Sequence, residues 1–119
     1  MLVAQRVESE ADGPLDFAHL SRQTSGDHKL EREVLQLFRR QASQVLFQLE
    51  AMQDPMNRLE IAHALNGSAK GIGAWRVATA AQALEAAARA GRPAGEQVAI
   101  LAECISEVVD AIDEVLAEA

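Results

Sequence analysis

The sequence predicts an all-α fold, an up-down antiparallel four-helix bundle with a short additional helix at its N-terminal end. The chain has 119 residues, a length typical of one domain. It is rich in alanine, has only three prolines and no tyrosine, and so favours helices packed through aliphatic side chains. Apolar residues recur every three or four positions, and no segment shows the period-two alternation of a strand.

The chain begins with a predicted lead-in over residues 1–14, which we expect to be loose because its composition is mixed and it ends in a turn signal. The helical bundle is therefore expected to span residues 15–119. Asp16 can accept a hydrogen bond at the start of a short first helix that ends at about Thr24.

The second helix is predicted to begin after Asp27 and to continue to about Gln53. Its apolar residues keep helical spacing and are Leu30, Val34, Leu37, Phe38, Val45, Leu49 and Met52. Asp54-Pro55 starts the third helix, since proline at the first helical position lacks only an N–H that has no partner there. This helix should continue to about Lys70.

The last two helices are separated by a turn at Gly91 and Pro93. The fourth helix is predicted over about residues 75–89. The fifth carries a seam of apolar side chains in steps of three and four, namely Val98, Leu101, Ile105, Val108, Ile112 and Val115.

Charge and composition limit the partners that the chain can have. Its 18 acidic and 11 basic residues give a formal charge of −7, which disfavours nucleic acid and anionic membrane as partners. Cys104 is the only cysteine, so neither an internal disulfide nor a cysteine-based zinc site can form. No secretory signal pattern and no membrane-spanning apolar run is present, which favours a cytoplasmic protein.

The third helix places His63 on a face that differs from its packed side. At 100° per residue, the side chains within about 60° of His63 are Met56, Leu59, Glu60, Asn66, Gly67 and Lys70. The opposite side carries Ile61, Leu65, Ser68 and Ile72. His63 is therefore expected to point into solvent.

The neighbours of His63 suit a nucleophilic role. Gly67 leaves room beside the imidazole, and Lys70 supplies a cation that can pair with a phosphoryl group. Met56 and Leu59 offer apolar contact to a partner. A neutral imidazole has one nitrogen with a free lone pair. From this geometry alone, an ordinary surface histidine is the simpler interpretation.

The local string His63-Ala64-Leu65-Asn66-Gly67-Ser68-Ala69, followed by Gly73-Ala74, resembles the histidine motif of the histidine-containing phosphotransfer (HPt) family. Leu84-Glu85-x-x-Ala88-Arg89-x-Gly91 is similar to the fourth-helix pattern of that family. Gly26-Asp27 leading to Leu35-x-x-Phe38 is similar to the start of its second helix. Together these similarities cover roughly residues 15–115.

The resemblance implies a monomeric carrier, without kinase activity of its own, that is phosphorylated on His63. It implies exchange with the aspartate of response-regulator receiver domains, with a hybrid histidine kinase as a second candidate partner. It also implies that the receiver brings Mg²⁺, so that this chain needs no metal or cofactor. The candidate docking patch consists of Met56, Leu59 and Glu60 with Phe17 and Leu20 from the first helix. One departure from the family is Asn66, which stands where the motif has a lysine, so that Lys70 becomes the candidate cation.

Four alternatives compete with this interpretation. The glycines at positions 67, 71 and 73 match a dinucleotide-binding loop, but that loop requires a preceding strand. Glu60-x-x-His63 matches half of a di-iron site whose second half is missing. A helical adaptor that binds a partner without phosphate and the phosphoacceptor part of a histidine kinase stay open as rival functions.

Overall fold

The computed structural model describes residues 13–118. Residues 1–12, most of the predicted lead-in, lie outside the described residues. All regular structure in the described part is helical, which confirms the all-α prediction. The helices are α1 (Phe17–Gln23), α2 (His28–Ala51), α3 (Pro55–Ile72), α4 (Trp75–Arg89) and α5 (Gly95–Ala117).

Three aspartates start helices as predicted. The side chains of Asp16, Asp27 and Asp54 each accept a backbone N–H of the helix that follows, at 3.0–3.1 Å. Such a bond satisfies one of the N–H groups that have no partner within the first helical turn. The helix starts are therefore determined by short-range chemistry that is visible in the sequence.

Two helix ends differ by a few residues from their predicted positions. α2 ends at Ala51, before Gln53, and α3 continues past Lys70 to Ile72. Gly71 stays helical because a glycine within a helix weakens it without breaking it. Gly73 ends α3 in the left-handed conformation, with φ at 80°, and its N–H group reaches back to the last turn.

Helices α2 to α5 enclose one core in which each packs against two neighbours: α2 against α3 and α5, and α4 against α3 and α5. The most extensive of these interfaces joins α3 and α4. The largest fully buried side chains are Leu15, Leu35, Leu49, Leu65, Leu84, Leu101, Ile105, Ile112, Val77 and Val108. Leu30, Leu37 and Met52 of the predicted α2 stripe are exposed, because the stripe is wider than the surface that α3 and α5 cover.

Asp16 fixes the short helix α1 against the α3–α4 connection. Its backbone N–H donates to the carbonyl of Gly73, and its carboxylate accepts the indole N–H of Trp75, both at 2.9 Å. The hydrogen bond from Trp75 is the main cause that holds the pKa of Asp16 below its usual range. The ring of His19 meets Trp75 edge-on, with centroids 4.9 Å apart. α1 is therefore held beside the start of α4.

Arginine side chains satisfy helix C-terminal carbonyls across the bundle. Arg32 of α2 donates to the carbonyls of Val115, Leu116 and Glu118 at the end of α5. Arg58 of α3 donates in the same way to Leu49 near the end of α2. A cation at this end of a helix also complements the helix dipole.

Replacing Gly73 by alanine tests the connection between α3 and α4. An added Cβ would lie 2.9 Å from the Asp16 carbonyl oxygen, at a φ that L-residues disfavour. We expect Gly73→Ala to lower the free energy of unfolding by about 2 kcal/mol in urea denaturation. The matched control is Gly71→Ala, which meets nothing within 4 Å and should be neutral or stabilising. Equal stability of the two variants would contradict this account.

Candidate functional site

His63 lies in the middle of α3 with its side chain 73% exposed, as the helical geometry predicts. The buried side chains of α3 are Ala62, Leu65, Ala69 and Ile72, which face the bundle interior. The position of the imidazole at the surface therefore follows from the apolar stripe of its own helix.

The imidazole is held from one side by Glu85 of α4. Nδ1 of His63 lies 3.1 Å from Oε2 of Glu85, whose side chain is only 12% exposed. Arg89, one turn further along α4, donates to the same oxygen at 3.0 Å. One carboxylate oxygen thus joins a ring nitrogen and a guanidinium.

The environment of Glu85 keeps its carboxylate ionised. Desolvation, the largest single influence, raises the pKa of Glu85, but the hydrogen bonds and charges of His63 and Arg89 together outweigh it. The net result is a pKa below the usual range. An ionised carboxylate only accepts hydrogen bonds, so Nδ1 of His63 must carry the proton. Nε2 is then the nitrogen with the free lone pair, on an exposed ring.

Gly67 and Lys70 lie on the His63 face of α3. A Cβ added to Gly67 would meet nothing within 4 Å, so the space beside the ring is open. Lys70 is exposed and makes no ion pair among residues 13–118. Its Cα lies about 10 Å along the helix axis from that of His63, so only its long side chain can bring the charge closer.

Asn66 is half-buried, whereas the sequence interpretation gave it to the exposed face. Its carbonyl oxygen Oδ1 is buried and has no hydrogen-bond partner within the described part of the chain. Such a group loses its hydration without compensation. Asn66 is therefore a partly enclosed polar group beside the site.

The structure separates the residues of the predicted docking patch. Met56 is 61% exposed, Glu60 is exposed and Leu59 is half-buried, so these three give α3 a mixed surface next to His63. Phe17 is half-buried and packs against the core. Leu20 is 2% exposed, so including it in the patch was wrong: α1 lies across the bundle and turns this side chain into the core.

Sequence reasoning gave no role to Glu85 and Arg89, the two residues that contact or flank the imidazole. Both belong to the string that resembles the fourth-helix pattern of the family, and their i,i+4 spacing is typical of a helical ion pair. That spacing was the available signal. What it does not reveal is the distance from α4 to His63.

The described residues offer no obvious metal site and no membrane span. No group of three or more His, Cys, Asp or Glu side chains lies close enough together between residues 13 and 118 to hold a metal ion. No helix in the same range combines the length and apolarity needed to cross a bilayer.

Comparison with protein families identifies the Hpt domain. The model of the Hpt domain matches residues 33–118, which is most of the chain and includes His63, Glu85 and Arg89. Neither a curated protein nor a solved structure matches the sequence.

The lowered pKa of Glu85 predicts how stability depends on pH. The pKa of Glu85 in the unfolded chain is 4.5, and folding lowers it. The contribution of ionised Glu85 to the unfolding free energy is therefore fully present above pH 4.5 and is lost as the pH falls through the folded pKa. We therefore expect Glu85→Gln to flatten the decline of the unfolding free energy as the pH falls below the unfolded value of 4.5. Urea denaturation at several pH values measures this.

The control is Glu60→Gln, which removes an exposed carboxylate on α3 that makes no ion pair within the described residues. It should leave the slope closer to that of the wild type. Parallel pH profiles for Glu85→Gln and the wild type would contradict the assigned hydrogen-bond network.

Proposed function

Because the chain belongs to the Hpt domain family, whose members carry phosphoryl groups on histidine, we propose that it is a phosphorelay carrier that uses Nε2 of His63. The supporting observation is the geometry of the ring, which is exposed, bound through Nδ1 to Glu85 and free at Nε2. The proposed exchange partners are the aspartates of response-regulator receiver domains.

The transfer is a substitution at phosphorus. The lone pair of Nε2 forms the new N–P bond while the P–O bond of the aspartyl phosphate breaks, and the carboxylate leaves with its electron pair. The ring becomes a phosphorylated imidazolium that keeps its proton on Nδ1. The reverse reaction returns the phosphoryl group to a carboxylate. No proton has to be removed from the ring in either direction.

Glu85 supports both states of this cycle. Before transfer, its carboxylate selects the tautomer in which Nε2 is unprotonated. After transfer, it faces an imidazolium, so a hydrogen bond that already had a charged acceptor gains a charged donor as well. Arg89 donates to the same carboxylate oxygen and so partly balances its charge.

The remaining α3 residues are proposed to keep Nε2 accessible and to supply positive charge for the phosphoryl group. Gly67 leaves the approach to Nε2 open, and Lys70 is proposed to pair with the phosphoryl group through its flexible side chain. Asn66 brings no charge, but its amide can donate a hydrogen bond. Met56, Leu59 and Glu60 are the proposed docking surface, whereas Phe17, which the sequence also assigned to it, packs against the core.

The proposal includes the setting in which the carrier works. It acts as a cytoplasmic monomer without kinase activity of its own, and a hybrid histidine kinase is the candidate source of the phosphoryl group. Mg²⁺ is expected on the receiver domain, because aspartyl transfer needs a cation and carboxylates and phosphates are the ligands that Mg²⁺ prefers. The carrier itself needs only to present a nucleophile in a fixed orientation.

Transfer from a panel of phosphorylated receiver domains tests the carrier function directly. The wild type should acquire a label that is labile in acid and stable in base, and NMR should locate the phosphorus on Nε2. His63→Gln should acquire none, whereas His28→Gln, which removes a histidine that is 92% exposed elsewhere, should be labelled normally. An unlabelled wild type, or equal labelling of His63→Gln, would contradict the carrier function and favour a helical adaptor that binds its partner without phosphotransfer.

Substitution of Gly67 should change the stability of the fold and the rate of phosphotransfer in opposite directions. Gly67→Ala fits the free protein and should raise the unfolding free energy by up to about 1 kcal/mol, since alanine is the better helix former. The added methyl group should displace a docking partner and slow transfer by about tenfold or more. Gly71→Ala is the matched control and should leave transfer unchanged. Unimpaired transfer by Gly67→Ala would show that the gap is not needed for access.

A further inference from the structure

A cleft of about 300 Å³ opens at the end of the bundle where the α2–α3 and α4–α5 connections meet. Pro55 and Arg58 line it from the start of α3, and Arg92 and Pro93 line it from the connection after α4. Arg58 lies about 140° around the α3 axis from His63, so the cleft opens on another side of that helix. Its volume is at the lower end of the range for small-molecule sites.

Arg58 brings a half-buried guanidinium to this cleft. Its Nη2 donates to the carbonyl of Leu49 at 3.4 Å, which restricts the orientation of the side chain. Its Nε is buried and has no hydrogen-bond acceptor within the described part of the chain. A buried donor of this kind has lost its hydration without compensation. The positive charge of Arg58 is therefore incompletely balanced among residues 13–118.

The turn that ends α4 holds the backbone of Arg92 in place. Gly91 has a φ of 68°, and the N–H groups of Gly91 and Arg92 donate to the carbonyls of Ala88 and Ala87 at 3.1 and 2.9 Å. In this Schellman arrangement, the position of Arg92 is commonly apolar and contacts the last helical turn. Here it is an exposed arginine, and Pro93 follows it with a fixed φ. A rigid backbone thus carries a cation to the cleft.

No carboxylate of the described residues forms an ion pair with either of these arginines. Arg39, Arg76 and Arg89, in contrast, each pair with an aspartate or a glutamate. The difference is notable because acidic residues outnumber basic ones by 18 to 11. Two guanidinium groups without carboxylate partners line the same cleft, which gives it a positive potential on an otherwise acidic chain.

We propose that this cleft binds an oxyanion of the phosphate class through charge-assisted hydrogen bonds from Arg58 and Arg92. The planar guanidinium presents paired N–H donors that match two phosphate oxygens at once. The cleft is larger than a phosphate ion, so it has room for the rest of a small phosphorylated molecule. His63 takes no part in this binding, and the proposal is independent of phosphotransfer.

NMR titration of the full chain with sodium phosphate tests the site. We expect the backbone amide signals of residues 53–58 and 88–95 to shift and to saturate, while sodium chloride at the same ionic strength has no such effect. Ribose 5-phosphate, with ribose as its uncharged control, identifies the source of the oxyanion. Tighter binding than inorganic phosphate would indicate a phosphorylated small molecule, and equal binding would indicate the phosphate group alone.

Substitutions of Arg92 test the assigned contact, because its exposed side chain can be changed without disturbing the core. Arg92→Gln should raise the Kd for phosphate by about tenfold or more, since a charge-assisted hydrogen bond is lost. Arg92→Lys keeps the charge without the paired donors and should give an intermediate Kd.

The matched control is Arg40→Gln, which removes an exposed arginine that lies outside the cleft and forms no ion pair within the described residues. Its Kd for phosphate should equal that of the wild type. His63→Gln should also bind phosphate with wild-type affinity, which distinguishes this site from the phosphoacceptor.

Three outcomes would overturn the proposal. The first is a set of shifts that sodium chloride reproduces or that do not saturate with phosphate. The second is an equal loss of affinity in Arg92→Gln and Arg40→Gln, which would indicate a general effect of net charge. The third is a set of shifts centred on His63, which would place the anion at the phosphoacceptor.

Discussion

The close packing of α3 against α4 is the constraint on which the rest of the site depends. Ala62 and Ala69 on α3 and Ala78 and Ala81 on α4 are all buried, and small side chains let two helix backbones approach closely. The two-residue connection at Gly73-Ala74 fixes the relative position of the helices along their axes. Only at this separation does the carboxylate of an α4 residue reach a ring nitrogen on α3.

Two opposing electrostatic effects act on Glu85, and the one that favours the ionised carboxylate is the stronger. A nearly buried carboxylate loses hydration, which favours its protonated form, yet two hydrogen-bond donors converge on one of its oxygens. The low local dielectric penalises the charge but also strengthens those contacts, and the net result is a lowered pKa of Glu85. The chain has a formal charge of −7, and the guanidinium of Arg89 offsets the negative charge of Glu85 beside His63.

The sequence predicted what depends on short-range chemistry. Asp16, Asp27 and Asp54 mark helix starts because a cap bond spans two or three residues, and the exposure of His63 follows from the periodicity of its own helix. The contact with Glu85 depends on how far apart and in what rotation two helices pack. Leu20 is buried for a similar reason, since the crossing of α1 is decided by tertiary contacts. The roles of Lys70 and Asn66 stay predictions.

The hydrogen bond between His63 and Glu85 also reduces the conformational entropy of the His63 side chain. A surface histidine normally samples several rotamers, and a reaction at Nε2 requires that one of them be selected. Here the carboxylate restricts rotation of the ring as soon as the protein folds, so the orientational entropy is lost before any partner arrives. If His63 is the nucleophile, as proposed, a docking partner meets a ring that is already oriented, and more of the interaction energy remains available for bringing the two reacting atoms together.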